Sequence, residues 1–168
     1  MPIRTAVLTI SDKASRGERT DTSGPAIAEL LASIDATVAR SEVVADEASR
    51  IAETLRAWAD SDELDLIVTT GGTGLGPRDV TPEATAGIIE RPVPGLGETM
   101  RAAGLKHTPM AALSRGVAGV RGRCLIINLP GSERGVRENL SAIIDILPHA
   151  IELLRGRVGD HTASSPRA

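Results

Sequence analysis

The sequence predicts an α/β domain built around a largely parallel sheet. Three observations carry that prediction. Short apolar, β-branched runs alternate along the chain with segments whose apolar residues recur at helical spacing. The run Leu66-Ile67-Val68 shows no polar alternation, as in a strand buried on both faces. Behind it, Gly71, Gly72, Gly74 and Gly76 crowd a turn that leads into Thr81-Pro82, read as an N-cap and first helical residue. Strand, glycine loop and helix start together form the arrangement that aims backbone N–H groups at an anion.

The elements follow in order. Residues 4–10 read as the first strand, and the polar stretch 11–24 as a long loop at its end. A helix opening at Pro25 carries Ile27, Leu30, Leu31 and Ile34 on one face. Residues 37–44 form the second strand. Asp46 stands before a helix with Ile51, Leu55 and Trp58 on one face. The helix from Pro82 extends to about Glu90, and residues 91–97, broken by two prolines and two glycines, form a connector. A helix through Glu98, Met100 and Arg101 ends near Gly104, and residues 110–115 read as a short helix or turn. Residues 117–120 and 124–129 flank Arg121-Gly122-Arg123 as a hairpin. Pro130-Gly131-Ser132 is a second sharp strand-to-helix turn, followed by a helix with Val136, Leu140, Ile143 and Ile144 on one face and a last helix over 146–154.

At 168 residues the chain is expected to form one domain over 1–156, with a frayed tail over 157–168. A chain of this size buries about 70% of its unfolded surface, enough for a core without staples. The net charge of −3, with no long like-charged run, argues against a nucleic-acid surface, and Trp58 as sole aromatic leaves no stacking platform for bases. Cys124, the only cysteine, allows no intrachain disulfide and reads as a small core residue. His107, His149 and His161 are scattered, so no zinc site is expected. Neither a membrane span nor a signal peptide is read, and the cytoplasm is the default compartment.

In a parallel sheet, ligands bind beyond the carboxyl ends of the strands. Four polar turns fall there: Ser11-Asp12, Asp46, the loop 71–79, and Pro130-Gly131-Ser132. That edge combines a glycine anion loop with Asp12, Asp46 and Asp79 and the hydroxyls of Ser11, Thr73 and Ser132. Two known phosphate motifs do not fit. A P-loop needs Lys-Ser/Thr after its last glycine, whereas Gly76 is followed by Pro77-Arg78, and the same proline breaks a dinucleotide fingerprint begun by Gly72 and Gly74. Carboxylates beside a phosphate site repel it by about 4 kcal/mol per pair at 4 Å and an effective dielectric of 20. A divalent cation such as Mg²⁺, held by one or two carboxylates plus substrate phosphates, removes the conflict. The residues therefore suggest Mg²⁺-assisted phosphoryl or nucleotidyl transfer. Plainer readings stand beside this one: a ligand-free turn for the glycines, a helix cap for Asp46, a loop brace or a pair with Arg78 for Asp79, and satisfaction of loop amides for Asp12.

Six blocks sharpen this picture. Ser11-Asp12 with Gly17 and Asp21, Thr-Thr-Gly-Gly-Thr-Gly at 69–74, Arg-Asp-Val-Thr-Pro at 78–82, Pro-Gly-Leu-Gly-Glu at 94–98, Leu113-Ser114-Arg115 and Asn128-Leu129-Pro130-Gly131 resemble, in order, the molybdopterin adenylyltransferase family of molybdenum-cofactor biosynthesis (the MogA/MoaB type). The resemblance runs over residues 4–154. It implies a three-layer α/β/α domain around a mostly parallel sheet and a homotrimer, with a hexamer as the alternative assembly. It implies transfer of AMP from Mg-ATP to the terminal phosphate of molybdopterin with release of pyrophosphate, and a partner in the molybdate-inserting enzyme of the same pathway. It places the catalytic, Mg²⁺-holding carboxylates at Asp46 and Asp79. Substrate binding is expected at Ser11, Gly71, Gly72, Thr73, Gly74, Ser114, Pro130 and Gly131. One departure concerns Ser132-Glu133, where relatives often have Ser-Pro; Glu133 adds negative charge near the anion site. The alternative from a different class is a non-catalytic pterin-binding or scaffold protein with the same fold.

Overall fold

The computed structural model describes residues 1–156. The expected tail, 157–168, lies outside the described residues. Six strands form one sheet in the order β2-β1-β3-β6-β5-β4. Strands β1 (Ile3–Ile10), β2 (Ala36–Val44), β3 (Leu66–Thr70) and β6 (Cys124–Leu129) are parallel. Strands β5 (Ala118–Arg121) and β4 (Arg91–Pro92) add an antiparallel edge. The sheet is thus mostly parallel, and the hairpin expected around Gly122 is the β5–β6 turn.

Alternation along the central strands divides the core into two layers. Val7, Leu66, Val68, Leu125, Ile127 and Leu129 face helices α2 (Ser23–Leu31), α5 (Pro94–Leu105), α6 (Glu133–Ile143) and α7 (Leu147–Leu154). Ala6, Leu8, Ile10, Ile67, Cys124 and Ile126 face α3 (Ala48–Ala59) and α4 (Thr81–Ala86), where Trp58 is buried. Helices on both faces make the expected three layers. Cys124 is a core residue, and burial pushes its thiol up to about 12.

Several local expectations are corrected. The loop 11–24 is not featureless. Ser11 caps a one-turn helix α1 (Asp12–Ser15) through its Oγ, and α2 begins at Ser23, two residues before Pro25. Asp21 sets that start: its carboxylate accepts from the Ser23 and Gly24 amides and from the Thr9 hydroxyl. Asp46 does not cap α3, whose N-cap is Glu47. Thr81 is not a cap either; Val80 holds that position, and the Thr81 hydroxyl turns back to donate to Gly71 O at 2.9 Å. Helix α4 stops at Ala86 rather than near Glu90. The connector 91–97 is split between the edge strand β4 and the first turn of α5. Pro92 is tolerated there because an edge strand has one unpaired side.

Candidate active site at the carboxyl edge of the sheet

Strands β2 and β3 lie on opposite sides of β1, so the crevice between the carboxyl ends of β1 and β3 is a topological switch point. The glycine loop leaves β3 at this crevice. Gly71 has φ +99 and Gly72 φ +67, a region that side chains rarely adopt. A Cβ at Gly71 would strike Ile10 O of β1, and one at Gly72 would strike Thr81 Oγ1. These two glycines let the loop lie directly against β1 and α4. The amide of Gly71 donates to Leu129 O at 3.2 Å, and that of Thr81 to Gly72 O at 3.1 Å. The Gly72, Thr73 and Gly74 amides donate to no other described residue, which leaves three adjacent N–H groups for an anion.

Asp12 and Asp46 brace each other. Asp12 N donates to Asp46 Oδ2 at 2.8 Å, and Asp46 N donates to Asp12 Oδ1 at 3.0 Å. Arg78 forks onto both oxygens of Asp12 at 3.0 and 2.9 Å, so of the two plainer readings of Asp79 the pair with Arg78 is not formed. Asp79 instead braces its own loop, accepting from Gly76 N at 2.8 Å through Oδ2. The Arg78 guanidinium holds the Asp12 carboxyl below its ordinary value. Burial pushes Asp46 the other way, helped by the neighbouring Asp12 and Asp79 carboxylates and opposed by the Asp12 amide and Arg78. Asp46 and Asp79 both touch the glycine loop: a Cβ at Gly72 would lie 3.2 Å from Asp46 Oδ1, and one at Gly74 2.9 Å from Asp79 Oδ2.

Each of these two carboxylates keeps one oxygen, Oδ1, without a hydrogen bond to a described residue. Two half-free carboxylates beside unpaired loop amides suit a hard cation whose shell is completed by phosphate and water oxygens. No group of three or more His, Cys, Asp or Glu side chains positioned to hold a metal exists among the described residues, so the protein alone does not form a complete cage.

Arg115 has no role that sequence spacing assigns, yet it is the buttress of the loop. Its Nε donates to Gly74 O and its Nη2 to Asp79 O, both at 2.8 Å; its Nη1 pairs with Glu83 of α4, and its amide donates to Thr73 O at 2.9 Å. Arg101 of α5 supports the same segment through Ser114 O and Gly116 O. Buried Asn128 ties β6 to β3 and α4 through the Thr69 and Thr85 hydroxyls, and its Oδ1 accepts from Val117 N. A lone arginine has no spacing signature; its place within Leu113-Ser114-Arg115 is the only signal the sequence offers.

The expected site residues gather on one rim but not in one hollow. Gly72, Thr73, Gly74, Asp79, Ser114, Pro130 and Gly131 line a cavity of about 760 Å³. Ser11, Gly71 and Gly131 line a smaller one of about 240 Å³, with Asp21 and Ser132. Gly131 and Ser132 are common to both. Asp46 lines neither; a Cβ at Gly72 would lie 3.2 Å from its Oδ1, which places it against the loop at Gly72. Ser132 caps α6 through Gly135 N at 3.0 Å, and the added charge of Glu133 is met by Arg137.

Residues 6–149 match the family described as "Probable molybdopterin binding domain". The molybdopterin adenylyltransferase of Helicobacter pylori (strain J99 / ATCC 700824) is 44% identical over 156 residues, 92% of this chain and 89% of that protein. The molybdenum cofactor synthesis protein cinnamon of Drosophila melanogaster is 46% identical over 149 residues, 88% of this chain but 25% of that protein. The crystal structure of the molybdopterin biosynthesis enzyme MoaB from Thermus thermophilus superposes with a TM-score of 0.87 at 59% identity, covering 92% of this chain and 97% of that one. The fold, the glycine-loop rim and these matches together make the chain a member of the molybdopterin-binding domain family of molybdenum-cofactor biosynthesis.

Proposed function

We propose that the protein is a molybdopterin adenylyltransferase, transferring AMP from Mg-ATP to the terminal phosphate of molybdopterin. The observation that carries this reading is that Asp46 and Asp79, distant in sequence, each lie against the glycine loop, Asp46 at Gly72 and Asp79 at Gly74, where three adjacent amides are unengaged. Matching relatives of near-equal length bear that activity in their names. A terminal phosphate oxygen of the pterin attacks the α-phosphorus of ATP. The new P–O bond forms as the bond from the α-phosphorus to the bridging oxygen breaks, and pyrophosphate leaves with that electron pair.

The Gly72–Gly74 amides hold phosphate oxygens at fixed positions, which converts the encounter of two polyanions into a positioned one. Asp46 and Asp79 are the residues that would hold Mg²⁺, which when bound screens the phosphates and stabilises the leaving pyrophosphate. Arg115 acts through the loop, keeping Gly74 and Asp79 in place. A homotrimer in the cytoplasm is part of the same reading. So is cooperation with a molybdate-inserting enzyme, since cinnamon contains this region within a much longer chain. Among the described residues no helix is long and apolar enough to cross a membrane.

Pyrophosphate release, measured with molybdopterin and Mg-ATP, tests the activity. Stoichiometric release is expected; tight binding of molybdopterin without release would instead identify a pterin-binding scaffold. Charge sets the pH dependence. Asp46 must be ionised to hold a cation, and burial raises its pKa above the ordinary aspartate value of 3.8. The acid limb of kcat/KM is therefore expected above that value. Arg78 lowers the pKa of Asp46, so Arg78→Ala should move the limb to higher pH. A limb that stays put or moves down would contradict Asp46 as the titrating group.

A further inference from the structure

The α6 wall of the larger cavity carries acceptors that the transfer chemistry does not use. Glu138 lines that cavity with its side chain 16% exposed. Its Oε1 accepts from Arg134 Nε at 2.7 Å and lies 3.8 Å from His107 Nδ1. Its Oε2 accepts no hydrogen bond from a described residue. Asn139, next to it and 8% exposed, donates its Nδ2 to Gly135 O at 2.8 Å, and its Oδ1 is a second acceptor that no described residue engages in the same wall. The cavity thus offers N–H donors at the glycine loop and acceptors on α6. A ligand that fills it carries an anionic group at one end and N–H donors at the other.

Ring chemistry discriminates between the two substrates. A 2-amino-4-oxopyrimidine presents two adjacent donors, the ring N3–H and the exocyclic amine, which a carboxylate accepts with both oxygens. Adenine presents its amine next to an unprotonated ring nitrogen, whose lone pair would face a carboxylate oxygen. At about 760 Å³ the cavity is in the range of sites that enclose ligands of this size, whereas the neighbouring hollow of about 240 Å³ is below it.

We propose that Glu138 recognises the aminopyrimidinone edge of the pterin and so sets the ring specificity of the larger cavity. Arg134 orients the carboxylate. The assignment rests on the reading that a pterin phosphate is the acceptor, and it adds the determinant of ring specificity.

The test is the dissociation constant of molybdopterin, measured without ATP, for wild type, Glu138→Gln and Glu138→Asp, beside the KM for each substrate. Weakening of molybdopterin binding by roughly tenfold or more is expected for Glu138→Gln, with the KM for ATP unchanged. Unaltered molybdopterin affinity, or a rise in the KM for ATP instead, would overturn the proposal. A comparison free of variants uses pterin and 4-hydroxypteridine, which lacks the exocyclic amine, as competitors of molybdopterin on wild type. Pterin should compete at least about tenfold better; equal competition overturns the assignment. Wild type that binds molybdopterin yet releases no pyrophosphate would refute adenylyl transfer while leaving the Glu138 comparison decisive. Wild type that fails to bind molybdopterin would refute both.

Discussion

Asp79→Asn is expected to fold normally and to lose AMP transfer. Asparagine keeps the size of the side chain and an oxygen that accepts from Gly76 N, so the loop brace of 2.8 Å survives. What disappears is the negative charge beside the Gly72–Gly74 amides. A charge that helps hold the cation contributes several kcal/mol to the transition state, so kcat should fall by roughly a hundredfold or more. Asp79→Ala removes the brace as well and should be at least as inactive. The two variants separate the roles: Asp79→Asn isolates charge, and the difference between them reports loop geometry. Pyrophosphate release at saturating molybdopterin and ATP, with the thermal midpoint as control, is the measurement. Normal turnover in Asp79→Asn would show that charge at this position is dispensable.

The largest expected effect on stability is at Gly71. Alanine there would place a Cβ onto Ile10 O, a backbone atom of the neighbouring strand that cannot rotate away, in a conformation with φ +99. Positive φ costs a non-glycine residue about 1–2 kcal/mol. Forcing extra volume into a packed site adds about 1–3 kcal/mol. Together these should lower the thermal midpoint by roughly 10 °C in a domain of this size. Gly17→Ala is the control. Gly17 also has positive φ, +72, but nothing lies within 4 Å of a Cβ there, so it should show the strain alone. Equal losses at the two positions would mean that the contact with β1 does not hold the loop.

The fold is readable because its signals are local and repeated. Leu66, Ile67 and Val68 are fully buried, as an unbroken apolar run implies for a central parallel strand. The helical stripe of Val136, Leu140 and Ile143 lies in the core as its spacing requires. Caps and boundaries are less legible because they depend on tertiary competition. Asp46 precedes a helix and has the right side chain to cap it, but the amide of Asp12, 34 residues away, takes its oxygen. Thr81 stands before Pro82 in a cap-like sequence, but its hydroxyl is drawn to the Gly71 carbonyl. The site shows the same limit. Glycine density marks the loop, whereas Arg115, Arg101 and Asn128, which hold it from distant segments, carry no spacing that distinguishes them from surface or core residues.

Trp58 is the only aromatic side chain, and it is 4% exposed between α3 and the sheet. Its indole dominates the intrinsic near-ultraviolet signal, and that signal follows packing beneath α3 rather than events at the glycine loop. With no tyrosine or phenylalanine in the background, the intrinsic fluorescence has a single source, so its unfolding transition reports the packing of one side chain.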